Sequence, residues 1–203
     1  MQDAIEMTGR GEAVFAALKA RTSNGRVKPD AVPRALISRV IEAATWAPNH
    51  RLTRPWRFLV LSGSSRATLG TAMAASLRER LDDPTDERAE RMLEKERNKP
   101  LRAPIVIAVA ALPSPDPRVI EVEEVTAVGA AVHNMLLAAE ALGLAAIWRT
   151  GDAAYDPLVK EAFALPLDCH LIAFVYVGWP ELSRPRERSG DGADLTVWLG
   201  DEE

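Results

Sequence analysis

The sequence is poor in the residues that most often announce a chemistry. It holds one cysteine, Cys169, and three histidines in 203 residues. A lone cysteine excludes an internal disulfide and a cysteine-based zinc cage. It reads as an inert, partly buried residue rather than a nucleophile. His50, His133 and His170 are far apart and have no metal-ligand spacing among them. His133 falls in an apolar helix pattern, where core or interface packing is the expected role, and His170 opens a strand. No Walker A pattern and no G-x-S-x-G elbow occurs. GRGEAV from Gly9 and GDGADL from Gly190 imitate the start of a dinucleotide fingerprint. Each lacks the third glycine and a preceding strand, so both are rejected.

Positive charge is not in excess either. The 25 basic and 29 acidic residues leave a net charge of −4, which argues against a dedicated nucleic-acid binder but not against a local basic pocket. The start MQDAIEMTGRGE lacks the basic and apolar segments of a signal peptide. The most apolar long window, Val125 to Ile147, contains His133, Asn134 and Glu140 and reads as a core helix, not a membrane span. The expectations are a cytoplasmic setting, with neither nucleic acid nor membrane as partner.

What is present suits a packed enzyme-sized domain. Hydrophobic residues make up 47% and charged residues 27%, enough for a sizeable core in a single domain over 1–203. Glu12 to Ala20 has a short amphipathic helix pattern, with Val14, Phe15 and Leu18. Asp30 is a candidate N-cap for a helix whose apolar face runs from Val32 to Ala44. A strand is expected over Arg57 to Leu61. A helix capped by Ser64 or Ser65 follows, carrying Leu69, Met73 and Leu77. The charged segment 82–99 has Asp83-Pro84 as N-cap and N1 of a helix with few apolar residues. It reads as a solvated surface helix or a mobile lid. PIVIAVAAL, Pro104 to Leu112, is a central strand buried on both faces. The longest helix runs from Val122 to Leu142, with Gly143 at C′. Ala145 to Trp148 is a short strand, Asp156-Pro157 opens a short helix, and Leu171 to Val177 is another buried strand. The tail 180–203 ends in a strand-like piece, Leu195 to Leu199. Four or five strands and six helices, mixed in order, make one layered α/β-type structure.

Three polar loops adjoin these core elements: Arg21-Thr22-Ser23, the stretch from Trp46 to Trp56, and Trp148-Arg149-Thr150-Gly151. Arginine with hydroxyl side chains suits a phosphate monoester. Arg149 follows an aromatic at a strand end, where α/β folds bind ligands. Together they suggest a ligand with a flat ring and a phosphate tail.

R-x-S after the first helix, A-P-N-H followed by P-W-x-F-x-V, and a late W-R-T-G resemble the FMN-dependent nitroreductase family, nearest its short subfamily. The likeness runs from about Phe15 to Pro180 and includes AAIWRTGDAAYDPLVKEAFAL and FVYVGWP. It implies an α+β fold, a three-layer α/β/α sandwich with a central mixed sheet, in an intertwined homodimer with FMN at the subunit interface. It implies that Arg21, Thr22 and Ser23 hold the flavin phosphate, ribityl or ring oxygens. Trp46 and His50 would approach FMN from the partner subunit, and Trp148, Arg149 and Thr150 would line the ring and phosphate region. Gly151 would add a backbone N–H, and Ala138 to Gly143 matches a stretch tied to nicotinamide-nucleotide binding. No residue is expected to act as a conventional catalyst, because the chemistry lies on FMN, and no metal is expected. The implied activity is ping-pong reduction of nitroaromatics, quinones or similar small acceptors by NADH or NADPH. Flavin destruction, reductive dehalogenation and non-enzymatic ligand binding are the alternatives. Trp46 departs from the family pattern, standing where an arginine is implied, and Thr150 replaces a serine.

Overall fold

A computed structural model describes residues 8–182 and 192–200. Its centre is a four-stranded sheet of β1 (Trp56–Ser62), β2 (Ile105–Ala111), β3 (Ala145–Arg149) and β4 (His170–Gly178) in the order β1-β2-β4-β3. All three pairings are antiparallel. The mixed sheet implied by the resemblance is therefore corrected for the described strands: the β1–β2 and β3–β4 connections return the chain antiparallel to its neighbour, and the α5 connection skips one strand position, which β4 then fills antiparallel to both β2 and β3. The α+β class and the layering stand.

β2 is the axis of the core because its sequence has no polar side chain, and every one of its residues is buried. Alternation sends its side chains to two sides. Ile105, Ile107 and Val109 pack with α2 (Arg34–Ala44) and α5 (Glu121–Ala141). Val106, Ala108 and Ala110 meet α3 (Ser65–Arg78) and the short α6 (Pro157–Glu161) on the other side. Burial of each large aliphatic side chain contributes about 1.5–3 kcal/mol, and this strand supplies it to both layers at once.

β4 carries a bulge. Val109 faces Ala173 and Ala110 faces Leu171, so Ile172 is the extra residue. Its carbonyl accepts the Trp148 indole N–H at 3.0 Å. The cap of α5 is the one expected. Gly143, at φ +73°, donates to Glu140 C=O at 3.0 Å, and Leu144 donates to Ala139 C=O at 2.8 Å, which satisfies two carbonyls that the helix end leaves open.

Several local expectations are revised. α1 spans Gly9–Ala20, starting earlier than expected because the Thr8 hydroxyl accepts from Gly11 N–H at 3.3 Å. It buries no residue within this chain. α2 starts after Pro33, not at Asp30, since the proline ring fixes the entry dihedral there. Asp83 accepts from the Thr85 N–H and hydroxyl at 2.8 and 2.6 Å and closes its own turn. α4 (Glu87–Asn98) is capped instead by Asp86, which accepts from Ala89 N–H at 2.5 Å. α4 packs on α3: Ala89 and Leu93 are buried, and a Cβ on Gly70 of α3 would lie 2.1 Å from Arg97 C=O. Leu195 to Leu199 is not a strand. A short turn covers Ala193–Leu195, and Leu195, Val197, Trp198 and Leu199 stay exposed. A strand-prone run with no ladder to join gains nothing from extension. Residues 183–191 of the expected tail, the Gly190 of GDGADL and the first seven residues lie outside the described residues.

Candidate functional site

Two of the three expected loops meet at the outer edge of β3. Arg21 caps the C-terminal end of α1, its N–H donating to Ala17 C=O at 3.0 Å. The chain then runs along β3, with Asn24 N–H donating to Ala146 C=O at 3.0 Å. It continues beside the end of β4, where Lys28 N–H donates to Trp179 C=O at 2.9 Å. This path puts Arg21, Thr22 and Ser23 beside the strand that ends in Trp148-Arg149-Thr150. Arg21 is only 9% exposed, yet its side chain has no acceptor among the described residues. A guanidinium removed from water without a counter-charge is costly, so the position asks for an anion.

Trp148 and Arg149 are adjacent on a strand and point to opposite faces of the sheet. The Trp148 ring reaches α5, where a Cβ at Gly129 would lie 4.0 Å from its Cη2. Arg149 turns the other way. Its guanidinium carbon lies 5.7 Å from the Tyr176 ring centroid, a cation–π distance. Its Nη2 comes within 3.2 Å of a Cβ built on Gly25. It has no carboxylate or carbonyl partner among the described residues. After Thr150 the chain leaves the strand at Gly151, whose φ of +114° is closed to side-chain-bearing residues.

Arg149 opens onto a cleft of about 320 Å³ between β3, α3 and the turn Lys99–Arg102. Arg80 pairs with Asp152 across it, and Lys99 pairs with Glu96. Tyr176 lies at its base, 5% exposed, with its phenol pushed up to about 12 by burial. Arg80, Glu96, Lys99, Arg102 and Tyr176 carried no motif. For Lys99 and Arg102 alone the sequence holds a faint signal, KPLRAP, a basic turn between prolines just before the central strand.

The third loop lies elsewhere in the chain. His50 is held by Glu123 in the first turn of α5, Nδ1 to Oε2 at 2.6 Å. Pro48, Asn49 and His50 line a shallow groove with Val122, Thr126 and Ala130. The loop is strained: Arg51, Leu52 and Arg54 all have φ near +55°, at 58°, 54° and 52°. Asn49 Oδ1 holds it by accepting from Arg54 N–H at 2.6 Å. Trp46 is 81% exposed at the end of α2. One chain therefore does not bring Trp46 and His50 to the Arg21–Arg149 edge. Ala139 is buried and Ala138 and Leu142 pack on the same core, so the stretch to Gly143 serves helix packing. Cys169 is buried, and its thiol is pushed up by desolvation. His133 is exposed on α5, and His170 pairs with Glu121.

Comparison with known proteins places these features in context. The model of the nitroreductase family matches residues 18–179. "Putative NAD(P)H nitroreductase YdjA" of Escherichia coli is 31% identical over 162 residues, 80% of this chain and 85% of that protein. The nitroreductase-like family protein of Bacillus cereus superposes with a TM-score of 0.79 at 23% identity, over 98% of this chain and all of that one (100%). A Desulfovibrio desulfuricans protein, solved as "a putative nitroreductase in complex with fmn", has a TM-score of 0.69 at 26% identity, over 93% of this chain and 98% of that one.

Proposed function

The chain belongs to the nitroreductase family, and we propose from that membership that it is an FMN-dependent NAD(P)H oxidoreductase reducing nitroaromatic, quinone or similar small acceptors. The observation that carries the reading is the pair of arginines at the β3 edge. Arg21 is nearly buried and Arg149 is stacked on Tyr176, and neither has an acceptor among the described residues. Two unneutralised arginines beside one strand edge fit a phosphate monoester. Thr22, Ser23 and Thr150 add hydroxyl donors, and the Trp148 indole, fixed by its bond to Ile172, offers a flat apolar surface on the other face of the same edge. The residues present thus fit FMN. Bound there, FMN supplies the two-electron chemistry that accounts for the absence of a conventional acid–base constellation. The chain's own part is to hold the phosphate, orient the ring and keep the face above it open.

The site of one chain lacks Trp46 and His50, which supports a homodimer in which each copy's His50 loop serves the other's β3 edge. Exposed Phe15 and Leu18 on α1 and Trp198 in the tail provide apolar surface for such an interface.

Arg21→Ala combined with Arg149→Ala tests the reading through flavin fluorescence. Each charge-assisted hydrogen bond contributes roughly 1.5–3 kcal/mol, so FMN affinity should fall by roughly 10²-fold or more. Unchanged affinity would refute the phosphate assignment. Anaerobic titration of FMN-loaded protein should bleach the flavin with NADH or NADPH. Flavin that binds but is not bleached would turn the reading to another flavin reaction.

A further inference from the structure

The cleft beside Arg149 carries more charge than its motif loop, Trp148 to Gly151, supplies. Arg80, Lys99, Arg102 and Arg149 line it against only two carboxylates, Glu96 and Asp152. The carboxylates are engaged by Lys99 and Arg80. Arg102 has no hydrogen-bond or ion-pair partner among the described residues, and Arg149 has only the Tyr176 ring. Both guanidinium groups line the same cleft as Tyr176, the arginines exposed at its rim and the phenol buried at its base. Burial keeps that phenol protonated, and its hydroxyl has no partner among the described residues. One positive charge not assigned to the flavin, Arg102, and one O–H donor therefore face about 320 Å³ of space beside Arg149, room for a phosphate and a ring but little more.

We infer that this recess is a subsite for the phosphate monoester of the second ligand, held by Arg102 and Tyr176 and continuous with the Arg149 edge that the flavin reading uses. The inference rests on the reading of a flavin oxidoreductase given above. The monoester can come from the reductant, whose adenosine ribose is phosphorylated in NADPH and not in NADH. It can also come from the acceptor. The α3–α4 packing positions this recess: α4 ends at Asn98, and the turn Lys99–Arg102 follows directly. The charged segment then selects what enters rather than covering the site.

The test uses FMN-loaded full-length protein and its Arg102→Ala variant. Inorganic phosphate, titrated calorimetrically, should bind the parent and bind the variant roughly 10- to 100-fold more weakly. FMN affinity should stay within about twofold. If the reductant is the source, the KM preference for NADPH over NADH collapses in the variant. If the acceptor is the source, the preference for 4-nitrophenyl phosphate over 4-nitroanisole collapses instead. Arg102→Lys, which keeps the charge, should restore part of the lost discrimination. Phosphate binding that is unchanged, or two ratios that both hold steady, would overturn the subsite. Loss of FMN from Arg102→Ala would also overturn it, by making the recess part of the flavin site. If neither protein takes up FMN, the flavin reading fails, and the phosphate titration on the bare protein still decides the recess.

Discussion

Gly70→Ala separates a packed cleft wall from a loose lid by the sign of its effect. Gly70 lies inside α3, where replacing glycine by alanine ordinarily stabilises a helix by about 1 kcal/mol. Here the added Cβ would meet the Arg97 carbonyl at 2.1 Å, with the Arg97 carbonyl carbon at 2.9 Å. Contacts under 3.0 Å essentially never occur for a real Cβ, so α4 would have to retreat by about 1 Å. The neighbour is backbone, so no side-chain rotation can relieve the clash. Overpacking of this kind costs about 1–3 kcal/mol, occasionally more, and exceeds the propensity gain. The net expectation is destabilisation by up to about 2 kcal/mol, or a Tm lower by up to roughly 8 °C for a chain of this size. Urea unfolding followed by circular dichroism measures the first, and a thermal melt the second. The cleft should respond as well, because Glu96 and Lys99 sit at the end of the displaced helix. Phosphate or acceptor binding should weaken while FMN affinity holds. A variant more stable than the parent by about 1 kcal/mol would show that α4 yields freely, and the reasoning for a rigid wall would fail.

Two other measurements probe buried groups. The Tyr176 phenol has its folded pKa raised from 10.0 to about 12. Its stabilisation is therefore complete below pH 10 and is lost as pH rises from there towards 12, by about 2–3 kcal/mol in all. Urea midpoints at pH 9 and 11.5 should show that loss in the parent, and Tyr176→Phe should remove this part of the alkaline slope. An equal slope in both proteins would contradict it. Cys169 is buried with its thiol raised, so a disulfide reagent at pH 8 should label it only as fast as the protein opens. Immediate labelling of the folded protein would place the thiol at the surface.

Much of the frame could be read directly from residue order. The unbroken apolar run of β2, the α5 pattern closed by Gly143 and the short strand before Arg149 all appear where periodicity puts them. These elements depend on local pattern and on burial from both sides, and a sequence displays both. The misplaced helix starts at Asp30 and Asp83 have a different cause. Several polar residues compete for one cap there, and Pro33 and Thr85 decide the outcome through geometry that composition does not encode. At the site, the R-x-S and W-R-T motifs were legible, and their meeting along β3 followed from the fold. Arg102 and Tyr176 were not legible, because one sits in a turn and the other in a core strand. The turn reaches the strand through β2, which follows it and pairs Val106 with Tyr176. The apolar residues of α1 and of Leu195 to Leu199 were read as structural, and within one chain they bury nothing.

The bulge at Ile172 makes the site a matter of chain length as much as of composition. Trp148 anchors itself to the carbonyl of the extra residue, while the pairing of β3 with Phe174 to Gly178 fixes which of the two neighbouring side chains faces each layer. Deleting a single residue between His170 and Ala173 would straighten the β2–β4 ladder and remove the anchor, yet leave the β3 register in place. The indole would keep its face and lose its tether. A gap in an alignment at this point would therefore say more about a relative's ligand than many substitutions in the motif itself.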